Sequence, residues 1–178
     1  MRKFKIFLGV ALVAAVIMTA CKPDEPSGNV PNEVVINGIK WATRNVGSKG
    51  TFVTNPNDYG NYYAWQQAQT ACPDGWRLPT KLEFESLMSA GGTWITQNGK
   101  DGYKFGDSKN NIFLPAAGQR YYYDSNMRYV GASGYYWSST SSSTSSSNAY
   151  YLEFSSISGA SISTYDKKNE HSVRCVAK

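Results

Sequence analysis

The chain opens with Met1-Arg2-Lys3-Phe4-Lys5, runs through an apolar stretch from Ile6 to Met18, and then reaches Thr19-Ala20-Cys21. A basic start, an apolar stretch too short to span a bilayer and small residues before a cut are the three parts of a secretory leader. This order predicts that residues 1–20 are removed and that the rest folds outside the cytoplasm, where disulfides persist. It also fixes the charge of what folds. Arg2, Lys3 and Lys5 leave with the leader and no acid does, so the formal +5 of the whole chain falls to about +2. A domain that close to neutral, with no cluster of Lys and Arg, has no electrostatic case for nucleic acid.

The cysteine directly after Ala20 resembles the bacterial lipobox, in which the cysteine becomes the new N-terminus and carries acyl chains. Cys21 is therefore the expected lipidation site, with an ordinary cleaved leader or an uncleaved anchor helix as the alternatives. Several acyl chains, at roughly 0.8 kcal/mol per buried methylene, exceed what stable anchoring needs. Residues 21–32 are polar and hold three prolines, which suits a flexible tether. Its start, Lys22-Pro23-Asp24-Glu25, resembles the short charged signal that sends lipoproteins of the Bacteroidota to the cell surface. Pro23 interrupts the charges, and any proline-rich tether beside a lipid would read similarly. The expected location is the outer membrane, facing the cell surface or otherwise the periplasm.

With Cys21 acylated, Cys72 and Cys175 remain, and they are expected to pair. Two buried thiols or a metal pair are the alternatives, the latter disfavoured because there is no CxxC spacing and no histidine cluster. Pairing would close a loop of roughly a hundred residues, worth up to about 4.7 kcal/mol in the chain-entropy treatment.

Residues 33–178 have the length of one domain. Val34-Val35-Ile36-Asn37-Gly38-Ile39-Lys40-Trp41 places Asn-Gly between short apolar runs and predicts a hairpin. Ala64, Trp65, Ala68, Ala71 and Cys72 recur at helical spacing and predict a helix from Ala64 to Cys72. Thr80-Lys81-Leu82-Glu83 is a capping box, with Pro79 placed to staple against Phe84, and predicts a second helix over about 81–89. Beyond Gly91, short strands are expected at Ile112–Pro115, Tyr135–Ser138, Ala149–Ser155, Ala160–Tyr165 and Ser172–Val176, separated by Gly, Ser, Asn and Asp. The Ser-rich run from Ser138 to Ser147 reads as a mobile loop.

Three segments go beyond general pattern: Ala71-Cys72-Pro73-Asp74-Gly75-Trp76-Arg77-Leu78-Pro79-Thr80 with Glu83 and Phe84; Tyr135-Tyr136-Trp137-Ser138-Ser139-Thr140; and Ser172-Val173-Arg174-Cys175-Val176. In this order they resemble the Fibrobacter succinogenes major paralogous domain, a family of exported proteins and lipoproteins, over nearly all of residues 34–178. That family is similar to the C-type-lectin-like fold, shared with the formylglycine-generating-enzyme group. The resemblance implies an α+β fold, two helices packed on small twisted antiparallel sheets, with the chain ends adjacent. It also implies that Cys72 and Cys175 form the core disulfide, in agreement with the pairing expected from the residues alone. Most motif residues then have structural work. An Arg flanked by core residues, as Arg77 and Arg174 are, more often satisfies buried carbonyls or a carboxylate than binds substrate.

No enzymatic function is expected. His171 is the single histidine and is read as a surface or edge residue beside the last strand. The carboxylates near it, Asp166 and Glu170, are neighbours in a turn, and Glu83 and Glu85 point apart on a helix. The formylglycine-generating enzymes use catalytic cysteines that this chain lacks. A calcium-dependent lectin would place Glu-Pro-Asn or Gln-Pro-Asp in a long loop and Trp-Asn-Asp before a late strand. Here Trp137 is followed by Ser138-Ser139, and Asn55-Pro56-Asn57-Asp58 lies before the first predicted helix. Neither a metal site nor a cofactor is expected.

A recognition composition is what the exposed segments offer. Tyrosines at 59, 62, 63, 121–123, 129, 135, 136, 150 and 151 are interleaved with Asn, Ser, Gly and Asp, the mix that antibody loops use. Many of these rings would also serve to fill a β-rich core. The ligand-binding set expected is Tyr121, Tyr122, Tyr123, Asp124, Asn126, Arg128 and Tyr129, followed by Ser141–Asn148. The function expected is a non-catalytic binding or adhesion module with an extracellular protein as partner, or alternatively a glycan-binding lipoprotein serving polysaccharide capture.

Overall fold

The computed structural model describes residues 32–178; the leader, Cys21 and the tether up to residue 31 lie outside the described residues. The Asn-Gly pair makes its hairpin. Asn37 and Gly38 both take positive φ, 49° and 77°, the conformation whose twist suits a two-residue hairpin loop. They join β1 (Glu33–Ile36) to β2 (Ile39–Asn45). The chain continues through β3 (Tyr63–Ala64), α1 (Trp65–Ala68), β4 (Trp76–Arg77) and α2 (Lys81–Ser89). A meander follows: β5 (Gly92–Gln97), β6 (Lys100–Gly106) and β7 (Asn111–Pro115). Two short strands, β8 (Gln119–Arg120) and β9 (Met127–Arg128), precede the long β10 (Ser133–Ser141), β11 (Asn148–Ser155) and β12 (Gly159–Asp166). The last strands are β13 (Glu170–His171) and β14 (Arg174–Ala177).

These strands form four small sheets, ordered β1-β2-β14-β4, β10-β11-β12, β3-β13-β8-β9 and β5-β6-β7. Their ladders are antiparallel, and β2 beside β14 puts the two ends of the domain together. The fold is therefore predominantly β. It is not the α+β, C-type-lectin-like arrangement of two helices packed on small sheets that the sequence led us to expect. Among the described residues the helices are only four and nine residues long.

The reason lies in local chemistry. The second predicted helix forms as read, because Thr80 and Glu83 close a reciprocal capping box at its start. The first does not run from Ala64 to Cys72. Ala64 is drawn into a ladder with Glu170, and after Ala68 the chain tightens into Thr70 N–H to Gln67 O and Ala71 N–H to Ala68 O contacts of 3.2 Å. Pro73 then disfavours helical backbone at Cys72. The stretch after α2, where no strand was expected, is a second Asn-Gly hairpin. Asn98 and Gly99, at φ 49° and 75°, turn β5 into β6.

Both faces of β11 are covered: Leu152 and Phe154 point into one core cluster, and Ala149 and Tyr151 into another. Trp41, Phe84, Phe105, Leu114, Tyr136 and Phe154 belong to one core cluster, and Leu78, Trp137, Val173 and Cys175 to a second. Burying each large apolar side chain contributes about 1.5–3 kcal/mol. Close packing leaves no room at Gly134, where an added Cβ would come within 2.1 Å of the Phe154 ring.

Arg174 is fully buried and ties three strands together. Its guanidinium donates to Asn45 Oδ1 at 2.9 Å, Ala42 O at 3.0 Å and Phe113 O at 3.1 Å. Desolvation lowers its pKa to about 10, so it stays charged at neutral pH. Arg77 instead grips a carboxylate, Glu83, through two bonds of 2.8 and 2.6 Å. Both arginines are engaged structurally, with carbonyls and a carboxylate respectively.

Candidate functional site

The sheet β3-β13-β8-β9 carries the site. Its strands are only two residues long, so their loops, not their ladders, present side chains. On one side lies a cleft of about 510 Å³, within the roughly 300–1,000 Å³ range of small-ligand sites. Tyr62 and Tyr63 wall it, and Asn61, Gln67 and Thr70 add amides and a hydroxyl. Lys49 and Arg120 bring positive charge from opposite parts of the chain.

The tyrosine walls are held in place by spending their hydroxyls on backbone. Tyr62 donates to Ala117 O and Tyr63 to Gly47 O. Burial pushes the Tyr62 phenol up to about 12 and raises that of Tyr63 as well. Arg120 lies over the Tyr62 ring, 5.7 Å from its centroid, and donates through Nη1 to Glu170 at 3.2 Å.

The next residues after Arg120 are the predicted ligand set, so the cleft and that set are continuous in the chain. Tyr121 to Asn126 form the loop between β8 and β9, closed by Tyr121 N–H to Asn126 O at 3.0 Å. Its three rings cluster: Tyr122 and Tyr123 have centroids 3.8 Å apart, and Tyr121 lies 5.6 Å from Tyr123. Tyr121 also packs on Tyr165, whose hydroxyl donates to the Tyr121 hydroxyl at 2.9 Å. Arg128 covers the Tyr121 ring at 4.6 Å and pairs with Asp124 at 2.7 Å. Hydrogen bonds from the Asn126 backbone hold the Asp124 carboxyl below its usual range, with Arg128 adding to the effect.

The structure thus brings the predicted residues into one hairpin but gives them unequal standing. Tyr123 is 73% exposed and Tyr129 56%. Tyr121 and Tyr122 are half-buried, and Tyr129 sits beyond the turn, 6.1 Å from the Tyr135 ring. Of the Ser-rich run, Ser138 to Ser141 continue β10 and Ser138 is fully buried. Lys167 Nζ pins the remainder through Ser141 Oγ and Ser146 O, both at 2.7 Å.

His171 is placed differently from the surface or edge position expected of it. It is fully buried and stacked on Trp137 at 4.0 Å, with Tyr135 at 5.6 Å and Tyr151 at 4.9 Å around it. One ring nitrogen, Nε2, meets Gln119 Oε1 at 3.0 Å, and Nδ1 has no partner. Burial drives its pKa down to about 3, so the ring is neutral.

The cleft itself was only half visible in sequence. Tyr62 and Tyr63 stood out in a tyrosine-rich stretch, but nothing local links Lys49, Gln67 and Arg120. The β3-β13-β8 pairing brings Gln67 and Arg120 together, and the turn carrying Lys49 joins them through Gly50 N–H to Ala71 O at 2.9 Å and the Tyr63 hydroxyl to Gly47 O. Among the described residues no group of three or more His, Cys, Asp or Glu could hold a metal ion.

The three sequence motifs meet behind this site, where Trp137 Nε1 donates to the Tyr63 carbonyl at 2.9 Å. Trp76 and Arg77 pair with Ala177 and Val176 across β4 and β14. Cys72 and Cys175 are joined by a disulfide, and Trp137 N–H donates to Ser172 O at 3.2 Å. Compared with known families, the chain matches the model described as the Fibrobacter succinogenes major domain over residues 39–177. No curated protein and no solved structure matches it. The chain belongs to the Fibrobacter succinogenes major domain family.

Proposed function

We propose that this chain is an exported lipoprotein, anchored through Cys21 in the outer membrane and facing the cell surface, that acts as a non-catalytic binding module. Its ligand face is the cleft at Tyr62 and Arg120 together with the Tyr121–Tyr129 loop. The observation that carries this reading is a cleft of about 510 Å³ whose lining residue Arg120 is followed directly in the chain by a loop with exposed tyrosine. Rigid phenol walls, amide side chains and cations converge there, the composition of a recognition site. The buried, neutral His171 is assigned to the core and not to catalysis.

A concave cleft favours a small or chain-like ligand over a flat protein surface, so the glycan reading is preferred to protein adhesion. A saccharide array probed with the full-length chain and with the Tyr122→Ala/Tyr123→Ala/Tyr129→Ala variant tests it. The variant should keep its melting temperature within a few degrees, because Tyr123 and Tyr129 are exposed, half-buried Tyr122 packs on Tyr123, and such surface changes cost about 0.5 kcal/mol each. It should lose about 2 kcal/mol or more of affinity if these rings are anchors. A variant that folds and binds normally would remove the loop from the ligand face, and one that unfolds would make the rings part of the core.

A further inference from the structure

We infer that the cleft takes an acidic saccharide, a sugar chain whose carboxylate is received by Arg120 and Lys49. This rests on the reading of the cleft as the binding face and specifies its ligand. Two cations and, among the described residues, no acid line the cleft. Lys49 sits in the turn closed by Thr51 N–H to Ser48 O at 2.9 Å, and it forms no ion pair among the described residues. Arg120 meets Glu170 through a single nitrogen at 3.2 Å, with the two side chains 43% and 29% exposed. One contact occupies one of the five N–H donors of a guanidinium. The remaining donors keep the planar fork that matches a carboxylate. Tyr62, fixed beneath the guanidinium at 5.7 Å, orients it before any ligand arrives.

The neutral groups narrow the class further. The phenols of Tyr62 and Tyr63 are committed to backbone carbonyls, so they act as walls and not as polar contacts. Gln67 spends its oxygen on Ala64 N–H at 3.2 Å, which leaves its amide N–H groups as donors. With Asn61 and Thr70 these suit a ligand rich in hydroxyls. An acidic peptide is the less favoured occupant. Backbone recognition by strand addition needs an extended edge, and β3 at the end of this sheet is two residues long.

The test is calorimetric titration of the full-length chain with oligogalacturonate and sialyllactose, each beside its neutral counterpart, carboxyl-reduced oligogalacturonate and lactose. A sulfated oligosaccharide and hexaglutamate complete the set. At least one carboxylated sugar should bind about tenfold or more tighter than its neutral counterpart, and more weakly as salt is raised. Arg120→Gln should weaken it about tenfold or more. Lys49→Gln, a change on an exposed turn that leaves folding intact, should weaken it severalfold. Both substitutions should weaken the carboxylated sugar more than its neutral counterpart, so that the preference for charge shrinks. Equal binding of charged and neutral sugars, both lost in Tyr62→Ala, would overturn the acidic class and keep the cleft. Binding of only the sulfated sugar or only hexaglutamate would likewise overturn it while leaving a binding module. Carboxylated sugars that bind unaffected by either charge substitution would overturn the inference and remove the cleft from the ligand face.

Discussion

Lowering the pH should unload the domain through one residue, His171. In the unfolded chain its imidazole titrates near 6.5, whereas burial in the fold holds it down to about 3. Well above the unfolded value the ring is neutral in both states and costs nothing. Below it the unfolded chain binds a proton that the folded chain refuses, so stability falls, and it goes on falling until the folded ring itself protonates near pH 3. At pH 5 the loss comes to about 2 kcal/mol, with a slope approaching 1.4 kcal/mol per pH unit. That window is clean. The carboxyls held low by hydrogen bonds, Glu83, Asp107 and Asp124, contribute stability that is present above their unfolded values near 4. It is lost only as the pH falls through their lower folded ones. Urea unfolding of the wild type and of His171→Gln from pH 7 to 5 should show the slope in the first and a flat line in the second. Equal slopes in both proteins would refute the buried, neutral histidine.

The disulfide closes a chain separation of 103 residues, so Cys175→Ala should lower stability by about 2–5 kcal/mol in thermal unfolding. An unchanged midpoint would mean that the bridge does not restrain the unfolded chain. Gly134→Ala should destabilise by about 1–3 kcal/mol, because its methyl group would meet the Phe154 ring at 2.1 Å. A neutral effect in denaturant titration would contradict the packing of β10 on β11. Cys21→Ser should release the protein from the membrane fraction, and equal recovery in membranes would remove lipidation as the anchor.

Local signals survived folding well where two independent features agreed. Asn37-Gly38 between apolar runs, the capping box of Thr80 and Glu83, and the alternation that sets Tyr150, Leu152 and Phe154 on one face of a strand are read from neighbours in sequence, and each element formed. The Asn-Gly pair at residues 98 and 99 carries the same turn signal, but the flanking Thr96-Gln97 and Lys100-Asp101 lack an apolar run, so sequence alone predicts no strands there. The helix expected from Ala64 failed because its pattern was read without the ladder to Glu170, a partner more than a hundred residues away. His171 shows the same limit. Its surroundings come from Gln119, Trp137 and Tyr151, and no local pattern distinguishes a buried histidine on a two-residue strand from an exposed one. The candidate site divides along this line too. The Tyr121–Tyr129 set is contiguous and legible, whereas Gln67 and Arg120 meet through the sheet β3-β13-β8-β9 and Lys49 joins them through the bonds of its turn to Ala71 and Tyr63.

The claim that this sheet presents the ligand face is tested most directly by hydrogen–deuterium exchange of the full-length chain, with and without the tightest saccharide found on the array. Protection is predicted in peptides covering residues 47–51, 61–70 and 119–126, with the β5–β6 hairpin unchanged. Protection confined to the hairpin or to the β11–β12 turn, with those three segments unaffected, would contradict it.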